Sequence, residues 1–406
     1  MSDKLVIPYG RQEITQQDID SVVGVLTSDF LTQGPKVPEF ERSLTNFSGA
    51  KHALAVNSAT SALHIACLAL GVEKGDLVWT TPITFVASAN CALYCGADVD
   101  FVDIDSNTYN LSPLKLKEKL EYAKAHKLPL PKVVIPVHLC GQSCDMKVIA
   151  ELSVEYGFSI IEDASHAHGA TYKGSPIGSF GDISVFSLQG DKLAPAGEGG
   201  VFLTDSYEYW EKAVCMGDIT RIIELDTPSQ RFAATSFGIK TRIAPVSAAI
   251  GLEQLNQLDQ NNKIRRDNLV RLSGALEHYG FDTFKDTTNR KRTYFEFLAK
   301  APNHGLSKEV WIQALQAEGC VVEQPRYPLV HEQPFFTEGA FRSILRIEDS
   351  KVPSYLAGGF EQTRRLNQCM IKFPSFPNAA DEILDAYIQA IHKVGRHQEK
   401  IKEVVE

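Results

Sequence analysis

Short apolar runs alternate with longer stretches of helical period along residues 50 to 205 of the chain. This alternation is typical of a parallel sheet whose strands are joined by crossover helices. The predicted strands are 53–56, 77–80, 99–102, 133–137, 159–162, 183–186 and 201–204. The predicted helices between them are 60–70, 87–93 and 146–156, each after a turn of polar or small residues. This pattern indicates one large α/β domain.

The pattern changes after about residue 245. Residues 246–258 and a charged stretch to 276 have the spacing of long helices, and residues 288–300 (TNRKRTYFEFLAK) resemble a turn that leads into a strand. Helical periodicity returns in 308–317 and 381–393. We therefore expect a large domain over residues 1–249 and a smaller α+β domain over residues 250–406.

Composition and charge narrow the class of protein. The chain has 406 residues, of which 44% are hydrophobic and 22% charged, so it can form a sizeable core. Its formal net charge of -9 gives no general attraction to nucleic acid or to anionic lipid surfaces. The sequence has neither an apolar N-terminal segment of signal-peptide type nor an uninterrupted apolar stretch of spanning length. We expect a cytoplasmic protein without nucleic acid or membrane partners.

One cluster contains residue types that bind zinc. His138, Cys140 and Cys144 lie close together in the sequence, and imidazole and thiolate are zinc ligands. No second ligand pair follows at the spacing of a zinc finger. We therefore predict no metal site.

Two residues at predicted strand ends suggest a specific chemistry. Asp163 ends the segment 159–163 (SIIED), at the edge where open α/β sheets bind ligands. Lys192 follows another predicted strand, in the glycine-punctuated segment 187–200 (SLQGDKLAPAGEGG). A carboxylate can hold a pyridine nitrogen protonated, and a lysine can form a Schiff base with an aldehyde. These are the two protein groups that a pyridoxal phosphate site needs. Taken alone, such a lysine is more often a solvated surface group.

A phosphate anchor is the third requirement. Residues 57–62 (NSATSA) lie between a predicted strand and a predicted helix. Backbone N–H groups and hydroxyls at a helix N-terminus can face an anion. An ordinary Ser/Thr N-cap has the same sequence pattern, so this segment supports the site only together with Asp163 and Lys192.

Five ordered motifs resemble those of the DegT/StrS-type sugar aminotransferases. The motifs are 57–62 (NSATSA), 81–88 (TPITFVAS), 137–142 (VHLCGQ), 161–166 (IEDASH) and 187–200. The likeness extends from about residue 7 to 260 and more loosely to the C-terminus. It implies an aspartate aminotransferase-like fold (fold type I), with a large, mixed but mostly parallel sheet and a smaller α+β C-terminal domain. It also implies pyridoxal 5'-phosphate as cofactor and a homodimer with composite active sites.

The resemblance assigns roles to individual residues. Lys192 would bind the cofactor covalently and carry the proton, and Asp163 would pair with the pyridine nitrogen. Phe85 would stack on the ring, while Ala59, Thr60 and Ser187 would hold the phosphate and His166 would lie near the ring oxygen. Phe85 could instead be a core aromatic and His166 a structural histidine. Related dehydratases replace the lysine with histidine, so Lys192 favours transamination.

Residues 7–12 (IPYGRQ) and 28–35 (SDFLTQGP) are similar to the aminotransferases of pseudaminic acid synthesis. That similarity implies amine transfer from glutamate or glutamine to a UDP-linked 4-keto-6-deoxy-N-acetylhexosamine, giving an amino sugar for surface polysaccharide or glycan synthesis. It makes Phe30, Leu31 and Thr32 candidate substrate contacts. His331, in 327–334 (YPLVHEQP), is a further candidate from a family motif at the site entrance, with a packing role as the alternative.

Two departures from the family pattern leave the acceptor open. The lysine loop, with Gln189-Gly190-Asp191, is more similar to the aminocyclitol and 3-amino-5-hydroxybenzoate synthase branches, so a cyclitol ketone or another unactivated keto sugar is the alternative. Lys240 stands where the family has an asparagine that reaches the neighbouring subunit's cofactor phosphate. It could replace that contact with a charged one or point into solvent. An alternative of another class is a non-catalytic, cofactor-bound regulatory protein.

Overall fold

The computed structural model describes residues 12–235, 238–340, 359–377 and 379–405. Residues 7–11 of the N-terminal motif lie outside the described residues. The strands in the described ranges are β1 His52–Val56, β2 Leu77–Thr80, β3 Asp98–Phe101, β4 Val133–Val134, β5 Ser159–Asp163, β6 Thr171–Tyr172, β7 Ser175–Pro176, β8 Ile183–Ser187, β9 Gly200–Thr204, β10 Arg290–Lys291, β11 Phe297–Lys300 and β12 Met370–Phe373.

The helices of the described ranges alternate with these strands in the first half of the chain. They are α1 Gln16–Leu26, α2 Lys36–Ser48, α3 Ala59–Ala69, α4 Ala87–Tyr94, α5 Pro113–Ala125, α6 Met146–Tyr156, α7 Tyr207–Gly217, α8 Pro245–Glu277, α9 Lys308–Ala317, α10 Pro334–Thr337, α11 Glu361–Asn367, α12 Asp381–Arg396 and α13 Gln398–Val405. None of the helices in the described ranges combines the length and apolar character that a bilayer crossing requires.

A seven-stranded sheet forms the centre of the molecule, in the order β1-β9-β8-β5-β4-β2-β3. The neighbours from β8 to β3 are parallel, whereas β9 is antiparallel to both β1 and β8. Every strand predicted between residues 50 and 205 lies in this sheet, with bounds that differ by a few residues at most. The predicted mixed, mostly parallel α/β architecture is confirmed.

Both faces of the sheet are buried, as expected for strands that crossover helices cover. Along β1, Ala53 and Ala55 belong to one hydrophobic layer and Leu54 and Val56 to the other. The first layer includes side chains of α2, α5, α6 and the N-terminal half of α8, and the second includes those of α3, α4 and α7. The result is a three-layer α/β/α unit.

The helices α1, α2, α5 and α7 are not among the predicted elements. In α5 the side chains of Leu116, Leu120 and Ala123 are buried, and lysines and glutamates occupy much of the remaining surface. So narrow an apolar stripe gives a weak periodic signal. The helix is nevertheless well defined at its start, where the Ser112 side chain accepts a hydrogen bond from the Lys115 N–H and Pro113 occupies the first turn.

The C-terminal part of the chain has its own hydrophobic cluster. The antiparallel pair β11–β12 packs with α9 and α12 around Phe297, Trp311 and Tyr387. The helix α8 joins the two parts, because its N-terminal half contributes to the core under the sheet and its C-terminal half, from Leu269 onward, to this cluster. The division at residues 249 and 250 falls within α8 and stays a prediction.

Candidate active site

Asp163 lies at the carboxyl end of β5, held by short hydrogen bonds. The Ser88 hydroxyl donates to its Oδ2 at 2.7 Å, and the Ser165 backbone N–H donates to its Oδ1 at 3.1 Å. Its main chain is paired with Pro136 and His138 beyond the end of β4. The carboxylate is 4% exposed and therefore fixed in a largely water-free position. Donors on both oxygens fix the orientation of the carboxylate.

The residue before Asp163 supports this strand from the other face. Glu162 accepts hydrogen bonds from the backbone N–H groups of Gly178 and Phe180 and from the Ser184 hydroxyl. His138 accepts the Cys144 N–H at Nδ1, so its Nε2 carries the proton and donates to Glu162 at 3.0 Å. His138 is thereby committed to the fold. Within the described ranges, no group of three or more His, Cys, Asp or Glu side chains could hold a metal ion.

Lys192 is buried in the turn that follows β8. Its side chain is 10% exposed, with Nζ 4.1 Å from the centre of the Phe295 ring and 3.8 Å from Asp191 Oδ1. Burial lowers the pKa of Lys192, Asp191 raises it, and the positive charge of Arg326 lowers it again. A lowered pKa increases the share of neutral amine near pH 7, and the neutral amine is the nucleophile. Lys192 is therefore not a solvated surface lysine.

The predicted phosphate turn is the N-terminus of α3. The Ser58 side chain accepts the Ser61 N–H at 3.1 Å, which leaves the N–H groups of Ala59 and Thr60 in the first turn without an intrahelical acceptor. Gly200 lies directly against this turn: a Cβ on Gly200 would stand 2.2 Å from the Ser58 carbonyl carbon. Only glycine permits this approach. It brings the turn close to β8 and β9, the strands on either side of the loop that contains Lys192.

A cavity of about 650 Å³ connects these elements. The predicted residues that line it are Ala59, Thr60, Phe85, Asp163, His166, Ser187 and Lys192. The sequence therefore identified residues that the fold brings together from four separate segments. Phe85 is 56% exposed and faces the Tyr327 ring edge-on at 6.5 Å, so it is not a core aromatic.

His166 is held in one tautomer. Its Nδ1 accepts the Cys140 N–H at 3.4 Å, so the proton resides on Nε2, which lies 3.1 Å from the Tyr327 hydroxyl. Its ring also packs on Phe295, with centroids 4.2 Å apart. Burial and the nearby Lys192 hold the pKa of His166 well below 6.5. The imidazole is therefore neutral and acts in this site as a fixed hydrogen-bonding group.

The structure does not bring the remaining predicted residues to this cavity within one chain. Leu31, Thr32 and Lys240 line a separate cavity of about 350 Å³, and Phe30 is 49% exposed. His331 is buried against Phe101 and Phe360. Burial lowers the pKa of His331 to about 4, and neither ring nitrogen has a hydrogen-bond partner among the described residues.

Several residues of the site come from the C-terminal part and were not predicted. Phe295 packs on Lys192 and His166, and Arg326 forms ion pairs with Asp191 and Glu296. Phe295 and Arg326 belong to none of the motifs, so the sequence held no signal for them. Tyr327 and Ser88 stand inside recognised motifs, but nothing in the sequence distinguished them from their neighbours.

The residues present fit pyridoxal phosphate as a bound group. A buried carboxylate, a buried lysine of lowered pKa, an exposed aromatic ring and a helix N-terminus that can receive an anion share one cavity. The mostly parallel sheet with its antiparallel strand β9 also agrees with the mixed sheet expected of an aspartate aminotransferase-like fold. The fold and site thus define a class, the aspartate aminotransferase-like enzymes that depend on pyridoxal phosphate.

Comparison with known proteins identifies the family. The sequence model of the protein family described as "DegT/DnrJ/EryC1/StrS aminotransferase family" matches residues 12–391 of this chain. Spore coat polysaccharide biosynthesis protein SpsC of Bacillus subtilis is 32% identical over 403 residues, covering 96% of this chain and 97% of that protein. UDP-4-amino-4,6-dideoxy-N-acetyl-beta-L-altrosamine transaminase of Campylobacter jejuni is 34% identical, with coverages of 84% and 87%.

A solved structure of similar sequence has the same fold. The crystal structure of 3-amino-5-hydroxybenzoic acid synthase is 26% identical and superposes with a TM-score of 0.78, covering 96% of this chain and 100% of that chain. The protein belongs to the DegT/DnrJ/EryC1/StrS aminotransferase family and is a pyridoxal-phosphate-dependent aminotransferase.

Gly200→Ala tests the close approach to the phosphate turn. Because the added Cβ would overlap Ser58, we expect a loss of about 1–3 kcal/mol in the free energy of unfolding, together with weaker cofactor binding. Gly274→Ala is the matched control, since Gly274 lies in α8 with nothing within 4 Å of its added Cβ. That change should stabilise the protein by about 0.5–1 kcal/mol. Urea unfolding and cofactor titration measure both; equal effects of the two changes would contradict the assignment.

The pKa of Lys192 offers a second test. In the cofactor-free protein, the pH midpoint for reaction of Lys192 with an amine-reactive reagent should lie below that of a lysine in a model peptide, because burial disfavours the charged form. Asp191→Asn should lower the midpoint further, since Asp191 raises this pKa. Asp267→Asn, an exposed change on α8, serves as control. The measurement is modification followed by peptide mass spectrometry, and a midpoint that rises in Asp191→Asn contradicts the electrostatic account.

Proposed function

We propose that the protein transfers the amine of glutamate or glutamine to the keto group of a nucleotide-linked sugar. The acceptor we favour is a UDP-linked 4-keto-6-deoxy-N-acetylhexosamine, and the product is an amino sugar for surface polysaccharide or glycan synthesis. The observation that carries the proposal is the placement of Lys192 in one cavity with Asp163 and the first turn of α3.

Pyridoxal phosphate would supply an aldehyde for covalent attachment and a ring that withdraws electrons from the α-carbon of the donor. In this proposal Ala59 and Thr60 receive the phosphate through backbone N–H groups and the Thr60 hydroxyl, with Ser187 beside them. Asp163 holds the ring nitrogen protonated, and Phe85 covers the ring from the open side of the cavity. Of these groups, the Asp163 carboxylate is already fixed by hydrogen bonds from Ser88 and Ser165.

In this proposal Lys192 takes the proton from the α-carbon of the donor and returns a proton later in the transfer. A tethered amine within reach of the donor's α-carbon acts as an intramolecular base, which is worth far more than a free amine in solution. Its lowered pKa lets the amine accept a proton near neutral pH. The ion pair of Arg326 with Asp191 holds the neighbouring residue of the turn and so limits the movement of Lys192.

Two observations favour different acceptors. The relative from Campylobacter jejuni, similar over 84% of this chain, is by its name a transaminase of a UDP-linked amino sugar, and the segment 28–35 is similar to such enzymes. Gln189 of the unusual lysine loop lines the cavity, and the similar structure of 3-amino-5-hydroxybenzoic acid synthase supports an unactivated ketone such as a cyclitol as second candidate. The intact Lys192 disfavours a purely regulatory, cofactor-bound protein.

We also propose a homodimer in which each active site takes residues from both subunits. Leu31, Thr32 and Lys240 line a cavity that does not include Lys192 of the same chain. Arg221, Arg242, Asp218 and Glu224 line that cavity too, and Arg221 is paired with Glu41 at 2.8 Å. A two-fold arrangement that brings this cavity to the partner's phosphate turn would add Lys240 to the site there.

Lys192→Ala tests the reaction. The wild-type holoprotein should be yellow, lose its colour with glutamate and regain it with the keto sugar. Lys192→Ala should lose the covalent cofactor absorbance and most of the turnover, because both the attachment point and the base are gone. Small amines such as methylamine should restore part of the activity. Lys263→Ala, an exposed lysine on α8, is the control.

Regeneration of the colour by a free cyclitol ketone, and not by UDP-sugars, would establish the second candidate. A wild-type protein that binds no cofactor, or turnover of Lys192→Ala close to that of wild type, would refute the proposal.

Mixing two variants tests the composite site. Lys240→Glu should weaken cofactor binding by placing a negative charge near the phosphate. If the site combines Lys192 of one subunit with Lys240 of its partner, hybrids of Lys192→Ala and Lys240→Glu contain one intact site, so activity should rise above that of either variant alone. If both lysines served the same subunit's site, no hybrid would contain an intact site and mixing would restore nothing. Each variant mixed with itself provides the baseline.

A further inference from the structure

Lys192 borders a second cavity on the side of the small C-terminal cluster. This cavity measures about 190 Å³ and shares Asp191, Lys192 and Arg326 with the larger one. The volume corresponds to roughly six water molecules at the share that each takes in the liquid. We call it the inner cavity. It is too small for a nucleotide-linked sugar but has room for a short chain of atoms that ends in a charged group.

Most charges around the inner cavity are already paired. Arg326 forms ion pairs with Asp191 and Glu296, and Lys372 lies 2.6 Å from Glu323. Lys192 has Asp191 at 3.8 Å. These pairs leave the cationic side chains of the cavity neutralised, with one exception on α8.

Arg265 is the exception. It lines the inner cavity and is 5% exposed. Its hydrogen bond at 2.7 Å goes to the amide oxygen of Asn262, and its Nε has no hydrogen-bond partner in the described parts of the chain. Burial lowers the pKa of Arg265 to about 10, with no acidic side chain contributing, so the guanidinium is charged at neutral pH. It is a buried cation without a counter-ion among the residues that the structure describes.

The orientation of Arg265 is set by the fold. Asn262 donates from its Nδ2 to the carbonyl oxygen of His168 at 2.9 Å, and this fixes its amide oxygen toward the guanidinium one helical turn further along α8. The anchor occupies Nη1 of Arg265 and Nε is enclosed by the protein, so the other terminal nitrogen, Nη2, is the one left to bind. A buried charge that is held in place without a partner is costly, and such a group is retained where an anion completes it.

We propose that Arg265 binds a carboxylate of the amino-acid donor, so that the inner cavity is the donor's subsite. This inference rests on the proposed function, because it assumes that a donor must present its amine at Lys192. The planar guanidinium matches a carboxylate, and the small, charged inner cavity fits an amino acid better than a sugar. The larger cavity then remains for the acceptor.

The decisive experiment separates the two half-reactions. Arg265→Gln should raise the glutamate concentration needed for half-conversion of the holoprotein about 10- to 100-fold, from the loss of a charged hydrogen-bonded contact. The rate of the second half-reaction, in which the amine-loaded enzyme reacts with the keto sugar, should stay unchanged. Arg265→Lys keeps the charge but not the planar geometry and should lie between. Lys263→Gln, an exposed change on the same helix, should affect neither half.

Thermal unfolding gives a readout that does not depend on turnover. Without ligand, Arg265→Gln should unfold at the same or a higher temperature than wild type, because the unpaired buried charge is removed. Glutarate, which has two carboxylates and no amine, should stabilise wild type and fail to stabilise Arg265→Gln. Inorganic phosphate at equal ionic strength should produce no shift that depends on Arg265. An equal shift with phosphate would mean a general anion site and would overturn the donor assignment.

Failure of this inference is distinguishable from failure of the proposed function. If Arg265→Gln binds glutamate as tightly as wild type while both convert the keto sugar, the donor subsite is wrong and the function stands. If glutamate removes the colour of wild type through an Arg265-dependent step but no keto sugar restores it, the proposed acceptor is wrong and the subsite stands.

Discussion

The site depends on the close approach of Gly200 to the turn that begins α3. Because β9 runs against both of its neighbours, Gly200 pairs with Val56 at the end of β1 and with Ser187 at the end of β8. The turn at Ser58 and the loop that carries Lys192 therefore meet at one edge of the sheet. A side chain at residue 200 would separate them. The reversal of β9 thus places a helix N-terminus beside a buried amine.

Electrostatics around Lys192 follow from this placement. The chain has a net charge of -9, yet the cavities at the sheet edge hold Lys192, Arg265 and Arg326 close to one another. Asp191 and Glu296 balance Arg326 and moderate the pKa of Lys192, whereas burial lowers it. Arg265 can nevertheless attract a small anion in a net negative protein, because low-dielectric walls focus the local field.

The sequence allowed the large sheet and the cofactor side of the site to be predicted, because local signals carried both. Strand periodicity located β1 to β5, β8 and β9, and short motifs located Thr60, Asp163 and Lys192. The helix α5 was missed, since its apolar stripe is narrow. Arg265 and Phe295 were missed for another reason: each lies in a segment whose sequence resembles any other half-buried helix or strand.

The sequence by itself determined the class of fold and the residue types of the proposed cofactor site. Residue types at fixed local spacing are enough to specify a strand end, a helix N-terminus and a lysine turn. Only the tertiary structure decided which distant side chains surround that chemistry. It placed Phe295 on Lys192 and Arg326 on the adjacent Asp191. It also left Arg265 without a counter-ion in the described part of the chain and turned His331 into the core. These outcomes depend on how the chain after α8 packs against the sheet edge, and such long-range contacts leave no periodic trace in the sequence.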